Sequence, residues 1–176
     1  MLSAIILAFD TPRSAAPERA ETAKREAIVR TLASLIDACV AGLVADAILV
    51  GPPDSGLGAI ADEAGCGLIE AVDARSGLAR ALPGLRYSDV FVLTAGHAPE
   101  SGFVDELRDL RAFGDRDRAH VLRAAPHSLL TRLAPRLAEP VGLIARREDF
   151  GSAGNVAALA RRLRAGELAT RARRTI

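Results

Sequence analysis

The stretch Asp89-Val90-Phe91-Val92-Leu93-Thr94-Ala95-Gly96-His97-Ala98-Pro99-Glu100 decides how this chain is read. Val90 to Leu93 is an unbroken apolar run, long enough for a strand covered on both faces, and it ends in small, polar and turn-forming residues. The pattern predicts a central parallel strand whose carboxyl end opens into a loop. Ligands of open α/β sheets bind at that edge. Function should therefore be sought at Thr94 to Glu100, which offers one hydroxyl, one imidazole and no carboxylate before Glu100.

Upstream, Ala4 to Phe9 reads as a first interior strand, and Asp10 to Pro17 as a loop. From Glu18 the pattern becomes helical, with Ile28, Leu32, Leu35, Ile36, Cys39 and Leu43 at three- and four-residue steps. Ala47 to Val50 is a second strand, broken by Gly51-Pro52-Pro53-Asp54-Ser55-Gly56. A helix from Leu57 to Ala64 stops at Gly65 as a glycine C-cap, Gly67 to Val72 is a third strand, and Ser76 to Leu82 a short helix closed by Pro83-Gly84. The order β-α-β-α-β-α-β with short connections predicts a three-layer α/β/α sandwich on a mostly parallel sheet.

Downstream, Glu100, Asp105 and Glu106 open a helix reaching about Phe113, their charge suiting its amino end. Ala119 to Ala124 and Val141 to Ala145 read as strands, and His127 to Leu137 as a helix interrupted near Pro135. Asn155 to Leu168 reads as an amphipathic helix, followed from about residue 169 by a basic tail containing Arg171, Arg173 and Arg174.

A chain of 176 residues, 49% apolar and 26% charged, suits one domain spanning 1–176 with a sizeable core. A formal net charge of +1 gives no general electrostatic case for nucleic acid. Cys39 and Cys66 read as buried small hydrophobes, which suits a reducing compartment. Leu2 to Phe9 lacks a preceding basic region and no apolar run is long enough for a bilayer, so a soluble cytoplasmic protein is expected.

Gly42-Leu43-Val44-Ala45-Asp46-Ala47-Ile48-Leu49-Val50, a turn, and then Ala59-Ile60-Ala61-Asp62-Glu63-Ala64-Gly65-Cys66 resemble the nucleotide-binding half of family 2 glycosyltransferases, specifically a small bacterial branch. The likeness continues at Val90 to Gly96, Val141 to Arg147 and Val156 to Arg164. It implies the GT-A fold, a nucleotide-sugar donor and a magnesium or manganese ion on its diphosphate. Three departures stand at the positions that do the chemistry. Gly51 replaces the aspartate that holds base and ribose, leaving Asp54 as its only deputy, and Thr94 and Gly96 replace the metal-binding aspartate motif. Hard divalent cations want oxygen anions, which neither residue supplies, so no metal site is expected. Gly154-Asn155 stands where an acidic pair supplies the base, and an amide cannot take up a proton at neutral pH. Together these predict a catalytically degenerate transferase, a pseudoenzyme.

The candidate residues follow from this. His97 stands where an imidazole or metal ligand would serve, against the commoner case of a loop histidine partly in water. His97 and Asn155 are the catalytic candidates; Asp10, Arg13, Asp54, Ser55, Thr94 and Gly96 are the nucleotide-sugar candidates. Pro-Pro-Asp-Ser-Gly is also ordinary turn chemistry. Glu148 and Asp149 look like an acidic pair, yet Arg146-Arg147 beside them suggests a compensated surface turn. The arginines from Arg161 to Arg174 suit an anionic membrane or, more simply, the exposed face and end of the last helix.

Four functions fit: a GT-A-like domain with a weakened nucleotide-sugar pocket; an active metal-independent transferase using His97, Asp54 or Arg13; a nucleotidyltransferase; and a scaffold for a partner protein. Ala4-Ile5-Ile6-Leu7-Ala8 matches the "AIILAGG" opening of nucleotidyltransferases, whereas Phe9-Asp10 lacks the glycines that wrap a triphosphate.

Overall fold

A computed structural model describes residues 1–9, 17–114, 118–151 and 155–175. The four apolar runs of the first half form β1 (Leu2–Leu7), β2 (Val44–Gly51), β3 (Gly67–Glu70) and β4 (Asp89–Thr94), all parallel in the order β3-β2-β1-β4. Between them lie α1 (Pro17–Ala33), α2 (Ile36–Val40), α3 (Leu57–Ala64) and α4 (Ala74–Ala81). The helix expected from Glu18 onward is broken at Ser34, whose hydroxyl donates to the Thr31 carbonyl at 2.7 Å; Leu35 turns into the core while Ile36 and Cys39 stay exposed. Cys39 is thus not the buried hydrophobe its spacing suggests, and both cysteines are free. Helix α3 has the expected bounds, closed by Gly65 at φ 64°, a left-handed conformation that costs a side chain dearly.

Alternate residues of each strand face opposite layers. Ala4, Ile6, Phe91 and Leu93 pack with Ile28 of α1 and Ile60 of α3, together with Phe103 and Leu107 of α5 (Phe103–Phe113). Ile5, Leu7, Val90 and Val92 pack with Leu78 of α4 and with Val156 and Leu159 of α7 (Val156–Arg162). This is the three-layer sandwich.

Beyond β4 the sheet changes character. β7 (Pro140–Arg146) pairs antiparallel with β4 and with β6 (His120–Ala124). β8 (Gly166–Arg174) lies parallel to β6, and β5 (His97–Pro99) lies antiparallel to β8. The full order among the described residues is β3-β2-β1-β4-β7-β6-β8-β5. Thr94 and His97 are three residues apart and can be separated by at most about 11 Å. Four strand spacings laid flat would set β4 and β5 about 19 Å apart. The mixed half of the sheet therefore curls back until its last strand meets the end of β4.

The basic tail is the largest departure from the sequence expectation: it is a strand. Arg164 at φ 49° ends the last helical turn, and Leu168 and Ala172 then enter the core. The β6–β8 ladder slips, with Val121 opposite Glu167 but Arg123 opposite Arg171. The Ala169 and Thr170 N–H groups released by that bulge donate to the Glu106 carboxylate of α5, at 2.6 and 2.9 Å. Among the described residues no helix is long and apolar enough to cross a membrane.

Candidate functional site

β1, β2, β4 and β6 all point their carboxyl ends to one edge of the sheet, and β7 starts from that edge. Thr94 ends β4 there. Behind it, Gly96 turns the chain at φ 85°, its N–H donating to Thr31 Oγ1 at 3.0 Å and its carbonyl accepting from Thr175 N–H at 2.9 Å. Gly96 thus has no side chain and a backbone engaged on both sides.

A cavity of about 150 Å³ opens beside Thr94 and is walled by Leu7, Phe9, Glu139, Pro140 and Asn155. Whole-ligand pockets run to about 300–1,000 Å³. This one suits a phosphate group or a sugar ring, with the remainder of a larger ligand outside it. Asn155 is the N-cap of α7: its Oδ1 accepts from the N–H groups of Ala157 at 2.7 Å and Ala158 at 3.3 Å. What Asn155 can offer a ligand is its NH₂ group. Glu139 is the one carboxylate in the wall among the described residues. Sequence reasoning missed it because it belongs to none of the aligned motifs; the only signal was an acid directly before the proline that opens β7.

The other candidates separate. His97 sits on β5 rather than in a loop and does not line this cavity. It is half-buried, and neither ring nitrogen has a hydrogen-bond partner. Burial holds its pKa below the ordinary 6.5; the nearby Glu139 charge opposes that shift and Arg174 adds to it. The Thr94 and Ala95 carbonyls favour the protonated ring without reaching hydrogen-bond geometry. Asp54 is exposed at φ 56° on the turn after β2, and the Ser55 hydroxyl donates to the Pro52 carbonyl within that turn. Neither reaches the Thr94 cavity. Any Cβ at Gly51 would overlap Leu57 Cδ1, so an aspartate there would need the buried Leu57 to move. Asp10, Arg13 and Gly154 lie outside the described residues. Glu148 and Asp149 stand at the opposite sheet edge, after the end of β7, where Arg147 donates to the carbonyls of Leu85 at 2.6 Å and Tyr87 at 2.8 Å.

Thr94 supplies one neutral oxygen and Gly96 none, and no cluster of three or more His, Cys, Asp or Glu side chains occurs among the described residues.

No protein-family model matches the chain, and no curated protein matches it. Solved structures do. Glucosyl-3-phosphoglycerate synthase from Mycobacterium tuberculosis, in complex with phosphoglyceric acid, superposes with a TM-score of 0.62 at 17% identity, over 94% of this chain and 68% of that one. The same synthase with Mn²⁺ and UDP-glucose gives 0.63 at 16% identity, over 94% and 67%. A nucleotidyl transferase from Methanothermobacter gives 0.60 at 15% identity, over 96% of this chain and 88% of that one. At these identities the likeness is one of fold, and the fold is GT-A-like.

Proposed function

We propose that this chain binds a nucleotide sugar along the carboxyl edge of β1, β2 and β4, and that glycosyl transfer through a bound divalent metal has been lost or greatly altered. The observation carrying this is the cavity where Thr94, Glu139 and Asn155 meet, a polar recess at the ligand-binding edge to which the described residues bring one carboxylate. A neighbour of the same fold has been solved with UDP-glucose and Mn²⁺, which supports the ligand class. Thr94 and the Asn155 NH₂ would hydrogen-bond phosphate or sugar oxygens. Glu139 is the group placed to accept a proton from an acceptor hydroxyl, a task Asn155 cannot perform. Calorimetric titration with UDP-glucose, with and without manganese, tests the proposal. Weak binding is expected that manganese leaves unchanged and Thr94→Val reduces. Manganese tightening the binding tenfold, reversed by a chelator, would refute the loss of metal dependence.

A nucleotidyl transfer reading is favoured by the 88% coverage of the Methanothermobacter enzyme and by the Ala4 to Ala8 opening. Release of pyrophosphate from a nucleoside triphosphate and a sugar phosphate would establish it in place of the first.

A further inference from the structure

We propose that the excursion between β6 and β7 is a docking surface for an anionic lipid bilayer. It consists of α6 (Leu129–Leu133) and a 3-10 turn at Pro135–Leu137. An ordinary surface helix buries its leucines and exposes its threonine. Here Thr131 is buried, while Leu129, Leu130, Leu133 and Leu137 are 77, 70, 86 and 66% exposed. The inversion is held in place by a capping box. Ser128 Oγ accepts from the Thr131 N–H at 3.2 Å, and Thr131 Oγ1 accepts from the Ser128 N–H at 3.0 Å. The leucines are thus presented by a built element.

Charge identifies the occupant. Arg132 and Arg136 stand exposed on the excursion, and Arg136 and Leu137 share a groove with Arg161 and Arg164 from the end of α7. Glu139 is the carboxylate of this segment, and nearby Glu167 is already paired with Arg123 at 3.1 Å and Arg171 at 3.7 Å. Arg132 and Arg136 among the outward leucines, with Arg161 and Arg164 beside Leu137, match an interface in which apolar side chains sink and arginines reach the headgroup phosphates. A two-fold contact with a second copy through this face would gather the Arg132 and Arg136 of both copies, four like charges, into one interface. Of the arginine cluster noted in the sequence, Arg161 and Arg164 join this surface, whereas Arg171, Arg173 and Arg174 belong to β8. Glu139 and Pro140, which leave the excursion, wall the Thr94 cavity, so the two surfaces are continuous along the chain. The surface does not depend on which ligand the cavity takes.

Co-sedimentation of the full chain with vesicles of phosphatidylcholine, alone or mixed with phosphatidylglycerol, tests this. Binding to the mixed vesicles and not to phosphatidylcholine alone is expected. Leu130→Glu with Leu133→Glu should reduce it about tenfold or more with the melting temperature unchanged, because both side chains are already exposed. Arg132→Glu with Arg136→Glu should reduce it by a similar factor. Failure to sediment with anionic vesicles, or sedimentation of either double variant equal to that of the wild type, overturns the proposal. So does a concentration-dependent dimer, without vesicle binding, that the leucine variant abolishes; that result assigns the face to a second copy.

Discussion

The two halves of the sheet hold together in different ways. β3, β2, β1 and β4 are parallel and joined by helical crossovers, with β1 and β4 buried on both faces and β3 at the partly exposed edge. β7, β6, β8 and β5 run in mixed directions, and β8 depends on a side chain of α5 to complete its bonding. The first half is stabilised by apolar area, the second by apolar area plus specific polar contacts. The cavity lies where they meet, with Leu7, Phe9 and Thr94 from one half and Glu139, Pro140 and Asn155 from the other.

The largest effect should come from the seam. Phe91 on β4 is fully buried, its ring 5.2 Å from that of Phe103, and it packs against the face of Gly142 on β7. Phe91→Ala should cost about 3–5 kcal/mol in urea unfolding, in one transition that carries both halves. Two separated transitions would break the comparison by making the halves independent.

Next is Glu106→Ala, which leaves the Ala169 and Thr170 N–H groups without their acceptor. A charged hydrogen bond is worth about 1.5–3 kcal/mol, and the loss should fall in that range. Glu106→Gln, which can accept from only one of them well, should recover part of it. A loss of a few tenths would mean that water serves those groups equally, and that β8 needs no such brace. Smaller still, Gly65→Ala in the parallel half forces a Cβ into φ 64° and should cost about 1–2 kcal/mol, although the space around it is open.

The same contrast explains what the sequence could disclose. Apolar runs at Ala4, Ala47 and Val90 announced interior strands because each is short, continuous and bounded by turn residues, and Gly65 marked its helix end to the residue. β8 was hidden. Its deeply buried residues, Leu168 and Ala172, are four apart, a spacing that a helix and a bulged strand share, and the arginines between them resemble a helix's wet face. In the site, Thr94 was legible because it ends a strand. Glu139 was not, because a loop brings it to Thr94 from 45 positions away, which no local pattern records.

The smallest effect concerns His97, the residue by which the chain steps from the end of β4 to the outermost strand of the curled half. Burial lowers its pKa in the folded protein, against the pull of Glu139 and with the help of Arg174. The unfolded chain therefore takes up its proton first as the pH falls. The stability tied to the neutral ring is whole above 6.5 and drains away as the pH drops from there towards the folded value. Relative to His97→Gln, the wild type should lose melting temperature as the pH is taken from about 7.5 to about 5.5, by less than any change above. Glu139→Gln removes the opposing charge and should make that loss larger. If the gap between wild type and His97→Gln stays constant across this range, the ring is solvated and titrates normally, and β5 does not seal the curled half against the end of β4.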